Sequence, residues 1–264
     1  MIVRRKSKIS NSNSENQTIK AVEFPDKEFA SKGELFNHLK ANENKIISLK
    51  KATIKKSQNC SFPSLVEKQE EIKAVKDLEE GFIYPIINTT KYIDSHNDVH
   101  LNGIWNKSLK EQQGKIYYVS DHKLELNNVI AYPKDVEMQL KTFTFKDLGK
   151  NIEGETEALM FKVAIDKVVN EKALNVIENK TDIEHSVRMQ YVKVFLALDS
   201  DLKEDAEYKK DFDKYINEIS NKQVAIENGY FWGVSEAKIF KEGSMVLFGS
   251  NDATPLMQPK EEEP

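Results

Sequence analysis

The longest run of residues with the pattern of a β-strand is IEHSVRMQYVKVFLALDS, at residues 183–200. It is rich in β-branched, aromatic and apolar residues and contains neither Gly nor Pro, which predicts a long strand. Shorter runs of the same kind predict further strands at residues 18–24, 82–94, 115–123, 127–133, 135–145, 158–165, 230–240 and 242–249. The last two runs are separated by a break at Lys241–Glu242, and the pair 115–123 and 127–133 predicts a hairpin.

Apolar residues at helical spacing predict helices that begin at Ser31, lie around Trp105, and span 66–80, 170–180 and 203–228. The last of these carries an apolar stripe with the spacing i, i+4, i+7, i+8 and i+11, which predicts one long amphipathic helix whose stripe packs on the core. The members of the stripe are Tyr208, Phe212, Tyr215, Ile216 and Ile219.

These patterns together predict an α+β fold with a β-rich core surrounded by helices. The core is expected within residues 81–257. Residues 1–17 are rich in Ser and Asn and are predicted to be a disordered arm. Residues 18–80 are predicted to form a basic N-terminal region or subdomain, and residues 258–264 an acidic tail.

The formal net charge of −4 argues against a generally basic nucleic-acid binder. Residues 1–60 nevertheless contain 13 Lys and Arg against 6 Asp and Glu, which suits contact with an anionic partner and is equally typical of a solvated arm. The single Cys60 excludes an internal disulfide and favours a reducing compartment. No apolar run approaches the roughly 20 residues of a membrane span, so a soluble intracellular protein is expected.

Metal and phosphate chemistry find little support in the sequence. The segment DSHNDVH contains His96 and His100 at i and i+4, and on a helix this spacing would turn both rings to one side. The segment lacks helical periodicity, and a polar turn rich in Asp, Asn and His is the commoner explanation. The chain also lacks the Gly-rich phosphate loops and the GxSxG motif of α/β-hydrolases.

Nucleophilic catalysis remains, with Ser186 at the entry of the long strand as the candidate nucleophile. His185 is adjacent and would point to the opposite face of the strand, so it cannot take the hydroxyl proton. His122 ends the strand 115–123 and is the candidate general base. Glu242, at the break between the last two strands, is the candidate carboxylate that orients the imidazole.

The order and spacing of these motifs resemble the prohead (procapsid maturation) serine proteases of tailed phages, which are similar in fold to herpesvirus assemblins. The family's N-H-D, S-[IV]-G-[FM] and E-x-S-x-V motifs, and the turn that follows the last one, are matched over roughly residues 80–257. Arg188 stands in place of the usual Gly, Lys123 in place of an acidic residue, and Gly249 in place of a Pro. The matching segments are Asp121-His122-Lys123, Ser186-Val187-Arg188-Met189, Glu242-Gly243-Ser244-Met245-Val246 and Ser250-Asn251-Asp252-Ala253.

The resemblance implies a β-barrel-like core of mostly antiparallel strands surrounded by helices. It implies a serine endopeptidase with a Ser186, His122 and Glu242 triad and an oxyanion loop at Gly249, Ser250 and Asn251, with no metal and no organic cofactor. Its substrates would be scaffold or major capsid protein segments and the protease itself, inside the viral procapsid in the host cytoplasm. Hydropathy and net charge predict no membrane partner and no specific nucleic-acid partner. The resemblance suggests self-association, because herpesvirus relatives are activated by dimerisation.

Two other classes of function stay open. One is a capsid assembly or scaffold protein that keeps the protease fold without activity. The other is a metal-dependent hydrolase that uses His96 and His100.

Overall fold

The structure, a computed structural model, describes residues 18–21, 23–54, 78–249 and 253–259. The predicted arm at 1–17, almost all of the predicted helix at 66–80 and most of the predicted acidic tail lie outside these residues. The chain separates into two compact units, residues 1–41 and 42–264.

The described part of the first unit is a two-stranded antiparallel ribbon followed by the start of a helix. Strand β1 (Ile19–Ala21) pairs with β2 (Phe24–Phe29), and helix α1 (Lys32–Ala52) follows and continues into the second unit. Ser31 Oγ accepts a hydrogen bond from Glu34 N–H at 3.2 Å, and Glu34 Oε2 accepts one from Ala30 N–H at 2.9 Å. This reciprocal capping confirms the predicted helix start at Ser31.

The second unit contains two larger sheets with helices beside them, which confirms the α+β class. Its strands are β3 (Phe82–Thr89), β4 (Asp98–His100), β5 (Tyr117–Ser120), β6 (Val129–Ala131), β7 (Glu137–Thr144), β8 (Glu155–Ala164), β9 (Glu184–Leu198), β10 (Tyr230–Val246) and β11 (Leu256–Met257). Its further helices are α2 (Asn106–Gln112), α3 (Glu171–Glu178), α4 (Ala206–Tyr215) and α5 (Lys222–Asn228).

Strand β10 is the centre of the first large sheet. Strand β9 pairs antiparallel along almost its whole length, while β4 and β5 pair parallel with separate stretches, at 232–234 and 242–245. Since a strand has two edges, β4 and β5 share the edge that faces away from β9. The predicted hairpin is confirmed, because β6 pairs antiparallel with β5.

The second large sheet has the order β11-β3-β8-β7 and packs against the first. Apolar side chains of both sheets form one buried cluster, including Ile87 and Phe161 from the second sheet and Tyr118, Val187 and Met245 from the first. Within the described residues the strands form these open sheets and do not close into a barrel. The expected barrel-like core is therefore corrected to two sheets that share a core.

The predicted long helix at 203–228 is wrong, because it is interrupted between α4 and α5. Around the interruption, polar groups bond to the segment before β4 instead of continuing the helix. Ser220 N–H donates to Lys91 O at 2.9 Å, and Asn221 Oδ1 accepts from Ile93 N–H at 2.8 Å. Phe212 and Ile219, from the predicted stripe, are buried in a second apolar cluster, as expected of core packing.

The predicted break at Lys241–Glu242 is a bulge within one continuous strand. The register with β9 passes from Ile239 opposite Met189 to Gly243 opposite Val187, so residues 240–242 lie opposite a single residue of β9. Lys241 has φ 68, a left-handed backbone conformation that interrupts the regular pleat at the bulge.

A buried polar network connects the end of α1 to the first sheet. Lys50 Nζ lies 2.6 Å from Asp98 Oδ1, and Tyr191 O–H donates to Asp98 Oδ2 at 2.9 Å. Burial raises the pKa of Tyr191 well above its usual value, and the Asp98 carboxylate adds to that rise. His100 Nε2 lies 3.0 Å from the same hydroxyl oxygen. Lys50 reaches this network from the last turn of α1, which ends at Ala52.

We predict that Gly243→Ala destabilises the fold by about 1–3 kcal/mol, as overpacking of a buried site does. A Cβ at this position would lie 2.7 Å from the Phe161 ring and 2.9 Å from Ile87, so both sheets would have to shift. Equilibrium unfolding in urea measures the loss. Gly33→Ala is the control, because the nearest atom to its Cβ is 3.8 Å away, and that variant should be as stable as the parent or slightly more so. Equal stability of the two variants would contradict this account of the packing.

Candidate active site

The candidate residues come from three neighbouring strands of the first large sheet. Ser186 of β9 lies directly opposite Ser244 of β10, and Ser244 is also in register with Val119 of β5. Alternate residues of a strand point to opposite faces. Val187 and Met245 point into the core between the sheets, so Ser186 and Ser244 point to the other face.

His122 follows β5 in an unusual backbone conformation. Asp121 and His122 have φ values of 52 and 55, in the left-handed region that is unfavourable for residues other than Gly. Hydrogen bonds from β10 hold this turn. His122 N–H donates to Ser244 Oγ at 2.8 Å, and Asp121 N–H donates to Met245 O at 2.9 Å. The pairing of β5 with β10 thus determines where the imidazole lies.

The side chains of His122 and Glu242 form a buried pair. His122 Nδ1 lies 2.8 Å from Glu242 Oε1, and the side chains are 4% and 0% exposed. Because an ionised carboxylate can only accept, Nδ1 carries the hydrogen in this contact. In the neutral imidazole this leaves the lone pair on Nε2, the nitrogen that a general base needs. The structure therefore brings together two of the three predicted residues.

Ser186 is placed beside this pair by strand register. Paired residues on one face have Cβ atoms about 4.5–5.5 Å apart, so Ser186 adjoins Ser244, which binds the backbone of His122. Among the hydrogen bonds of the described residues, none joins the Ser186 hydroxyl directly to the imidazole. Ser186 as a residue is buried, with 6% of its surface exposed.

Arg188 also reaches this site, from the same face of β9 as Ser186. One terminal nitrogen, Nη2, donates to the carbonyl oxygen of His122 at 2.6 Å. Its Nε lies 3.1 Å from Glu242 Oε1, the oxygen that also contacts the imidazole. The residue that stands in place of the family's Gly is thus part of the site.

His185 faces the core, as the strand period predicts. Its Nδ1 lies 3.1 Å from Thr254 O, and its Nε2 lies 2.9 Å from the Tyr118 hydroxyl. The carbonyl requires the hydrogen on Nδ1, so Nε2 accepts from the tyrosine. Burial lowers the pKa of His185 to about 4, and it raises that of Tyr118. His185 is therefore a neutral packing residue.

Of the three residues in the predicted oxyanion loop, only Gly249 belongs to the part of the chain that the structure describes. Gly249 N–H donates to Glu184 Oε2, so this amide is occupied by a carboxylate in the arrangement seen. Ser250 and Asn251 lie outside the described residues.

His96 and His100 do not share a site. His96 lies in a turn that is bonded to Asp94, through His96 N–H to Asp94 Oδ1 at 2.8 Å, whereas His100 is buried on β4 beside Tyr191. In the part of the chain that is described, no group of three or more His, Cys, Asp or Glu side chains is placed to hold a metal ion.

Ser244 was missed as a functional residue, although the sequence contains a signal for it. It lies two residues after Glu242 on a predicted strand, and period 2 places both side chains on one face. What it contacts depends on the parallel pairing of β5 with β10, which the sequence does not reveal.

Comparison of the chain with models of protein families, with curated proteins and with solved structures returns no match. Over the described residues, no helix combines the length and the apolar character needed to cross a membrane.

We predict that His185 makes the fold sensitive to acid. Its pKa is about 4 in the folded chain against an ordinary value of 6.5, so between these pH values the unfolded chain binds the extra proton. This part of the stability is complete above pH 6.5 and is lost as the pH falls towards 4, with a total of about 3 kcal/mol.

The measurement is urea unfolding at pH 7 and pH 4.5 for the parent and for His185→Asn. The variant should be less stable at pH 7 but should lose less stability between the two pH values. Parallel losses in both proteins would show that His185 is not the group that titrates.

Proposed function

We propose that this chain is a serine endopeptidase in which Ser186 is the nucleophile, His122 the general base and Glu242 the orienting carboxylate. The observation that supports this most directly is the buried 2.8 Å contact between His122 Nδ1 and Glu242 Oε1. It selects the imidazole tautomer that can accept the proton of a serine. The register of β9 on β10 supports Ser186 as that serine.

In the proposed reaction, Ser186 Oγ attacks a peptide carbonyl carbon while its proton passes to His122 Nε2. The imidazolium is stabilised by Glu242 and then gives the proton to the leaving amine, which breaks the C–N bond and leaves an acyl-enzyme. Water, deprotonated by His122, hydrolyses the ester and restores Ser186. Backbone amides stabilise the oxyanion in such reactions. Gly249, Ser250 and Asn251 remain the predicted donors, and Gly249 N–H would first have to release Glu184 Oε2.

The proposed substrates come from the resemblance to phage prohead proteases. They are scaffold segments, the major capsid protein and the protease itself, cleaved inside the procapsid in the host cytoplasm. The excess of Lys and Arg in residues 1–60 is compatible with docking on an acidic scaffold.

We predict that a fluorophosphonate probe labels Ser186, because the neighbouring base activates this hydroxyl. Ser186→Ala should abolish labelling, as measured by intact mass and by mapping the modified peptide. Ser200→Ala is the matched control, since Ser200 is also buried but bonds to Asp205 at 2.6 Å, away from the proposed triad. That variant should be labelled at the parental rate.

Co-expression with capsid and scaffold proteins extends the test to the substrates. Processing should stop with Ser186→Ala and continue with Ser200→Ala. A parent chain that folds but is not labelled would instead favour the alternative function, an assembly protein without protease activity. Labelling without processing would support the proposed hydrolase activity and contradict the proposed substrates.

We predict that Glu242→Gln slows labelling by about 10²–10⁴-fold, because an amide can no longer stabilise the imidazolium and favours the wrong tautomer. Second-order rate constants of labelling for the parent and the variant provide the comparison. Glu236→Gln is the control and should not change the rate, because Glu236 lies on the same strand but pairs with Lys107 and Lys193. An unchanged rate for Glu242→Gln would remove Glu242 from the triad.

A further inference from the structure

Arg188 connects the two other charged or ionisable members of the site. Its Nη2 bonds to the His122 carbonyl at 2.6 Å, and its Nε lies 3.1 Å from Glu242 Oε1. Glu242 Oε1 is also 2.8 Å from His122 Nδ1, so the guanidinium lies within about 6 Å of the imidazole. One side chain thus contacts the backbone of the proposed base and the side chain of the proposed acid.

The bulge in β10 gives Arg188 this position. It is the single residue of β9 opposite residues 240–242, and it shares its strand face with Ser186. Its side chain is 18% exposed, so solvent screens it weakly.

The left-handed turn needs the contact that Arg188 provides. His122 has φ 55, and its N–H is bonded to Ser244 Oγ. The bond from Arg188 satisfies the carbonyl of the same residue, so both backbone polar groups of His122 are held by the sheet. An unfavourable backbone conformation persists where its surroundings hold it in this way.

Glu242 needs a cation as well. It is fully buried, and within the described residues its Oε2 accepts no hydrogen bond, while Arg188 Nε donates none with good geometry. An uncompensated buried carboxylate is unfavourable. The guanidinium of Arg188, whose Nε lies 3.1 Å from Glu242 Oε1, supplies a positive charge beside this carboxylate.

We propose that Arg188 is a positioning residue, which holds the backbone of His122 and places a positive charge beside the buried Glu242 carboxylate. The role rests on the proposed function, although the coupling between Arg188 and His122 can be measured without catalysis. Because the guanidinium lies close to the imidazole, removal of its charge changes the electrostatic surroundings of the ring, which a titration of that ring detects. Asp121 and Lys123 flank His122 in the same turn and are its charged neighbours along the chain.

The experiment is an NMR titration of the His122 ring in the full chain carrying Ser186→Ala, which prevents self-cleavage. The five histidines make assignment by single substitution practical. Arg188→Met removes the charge and keeps a side chain of similar length. Arg188→Lys keeps the charge but lacks the several donors of the planar guanidinium. Lys193→Met removes an exposed charge elsewhere on β9. The titration midpoint of His122 should rise by about one pH unit in Arg188→Met. It should change by less than about 0.3 unit in the two other variants.

An unchanged midpoint in Arg188→Met would overturn the proposal. A rise as large in Lys193→Met would overturn it too, because the effect would then reflect net charge rather than the contact. Backbone NMR spectra confirm that each variant is folded. If Arg188→Met does not fold, a midpoint in Arg188→Lys equal to that of the parent supports the role of the charge, and a rise of one unit overturns it.

Labelling with the fluorophosphonate probe separates this proposal from the proposed function. With Ser186 intact, the labelling rate falls as the pH is lowered. The midpoint of this fall should lie at a higher pH in Arg188→Met and at the parental pH in Arg188→Lys. Labelling in which this midpoint does not move would overturn the positioning role and leave the protease. A folded parent that shows the NMR shift but no labelling would refute the protease and leave the coupling between Arg188 and His122 in place.

Discussion

The pairing of β9 with β10, with its bulge at residues 240–242, is the constraint on which the site depends. Without the bulge, β9 would keep its register along β10, and each side chain beyond that point would meet a different neighbour. With it, Ser186 lies opposite Ser244, and Arg188 faces the three residues that end in Glu242. The parallel pairing of β5 on the other edge of β10 then brings His122 to the same face. A change of one residue in register would separate these groups.

The site is costly for the fold because it contains a buried charge and a left-handed histidine. Glu242 is 0% exposed, and burial of an isolated carboxylate would cost several kcal/mol. The contacts with His122 and Arg188 offset part of this cost, and the bonds of the His122 backbone to Ser244 and Arg188 hold the turn. Natural proteins tend to keep such strain where it serves a function. This is why the geometry supports a proposed protease more strongly than each residue does by itself.

The two histidines of the region show how position on a strand decides chemistry. His185 is next to Ser186 in sequence, but it points into the core, where Tyr118 and Thr254 fix its tautomer and burial lowers its pKa to about 4. His122 is 64 residues away along the chain, yet it lies on the face of Ser186 and Glu242. The core on the other side of the sheet is closely packed, because a methyl group at Gly243 would clash with Phe161 and Ile87.

Local sequence was sufficient for the α+β class, the long strand at 183–200, the capped start of α1 at Ser31 and the hairpin of β5 and β6, because periodicity and capping act between near neighbours. It also excluded His185 as a base, since strand period is a local property. The barrel and the continuous helix at 203–228 were wrong, because sheet closure and the bonds of Ser220 and Asn221 to residues 91–93 depend on distant partners. The positions of His122 and Glu242 at strand ends, and then the resemblance, suggested their pairing. The tertiary structure decided the roles of Ser244 and Arg188, whose contacts arise from strand register and parallel pairing across more than 60 residues of chain.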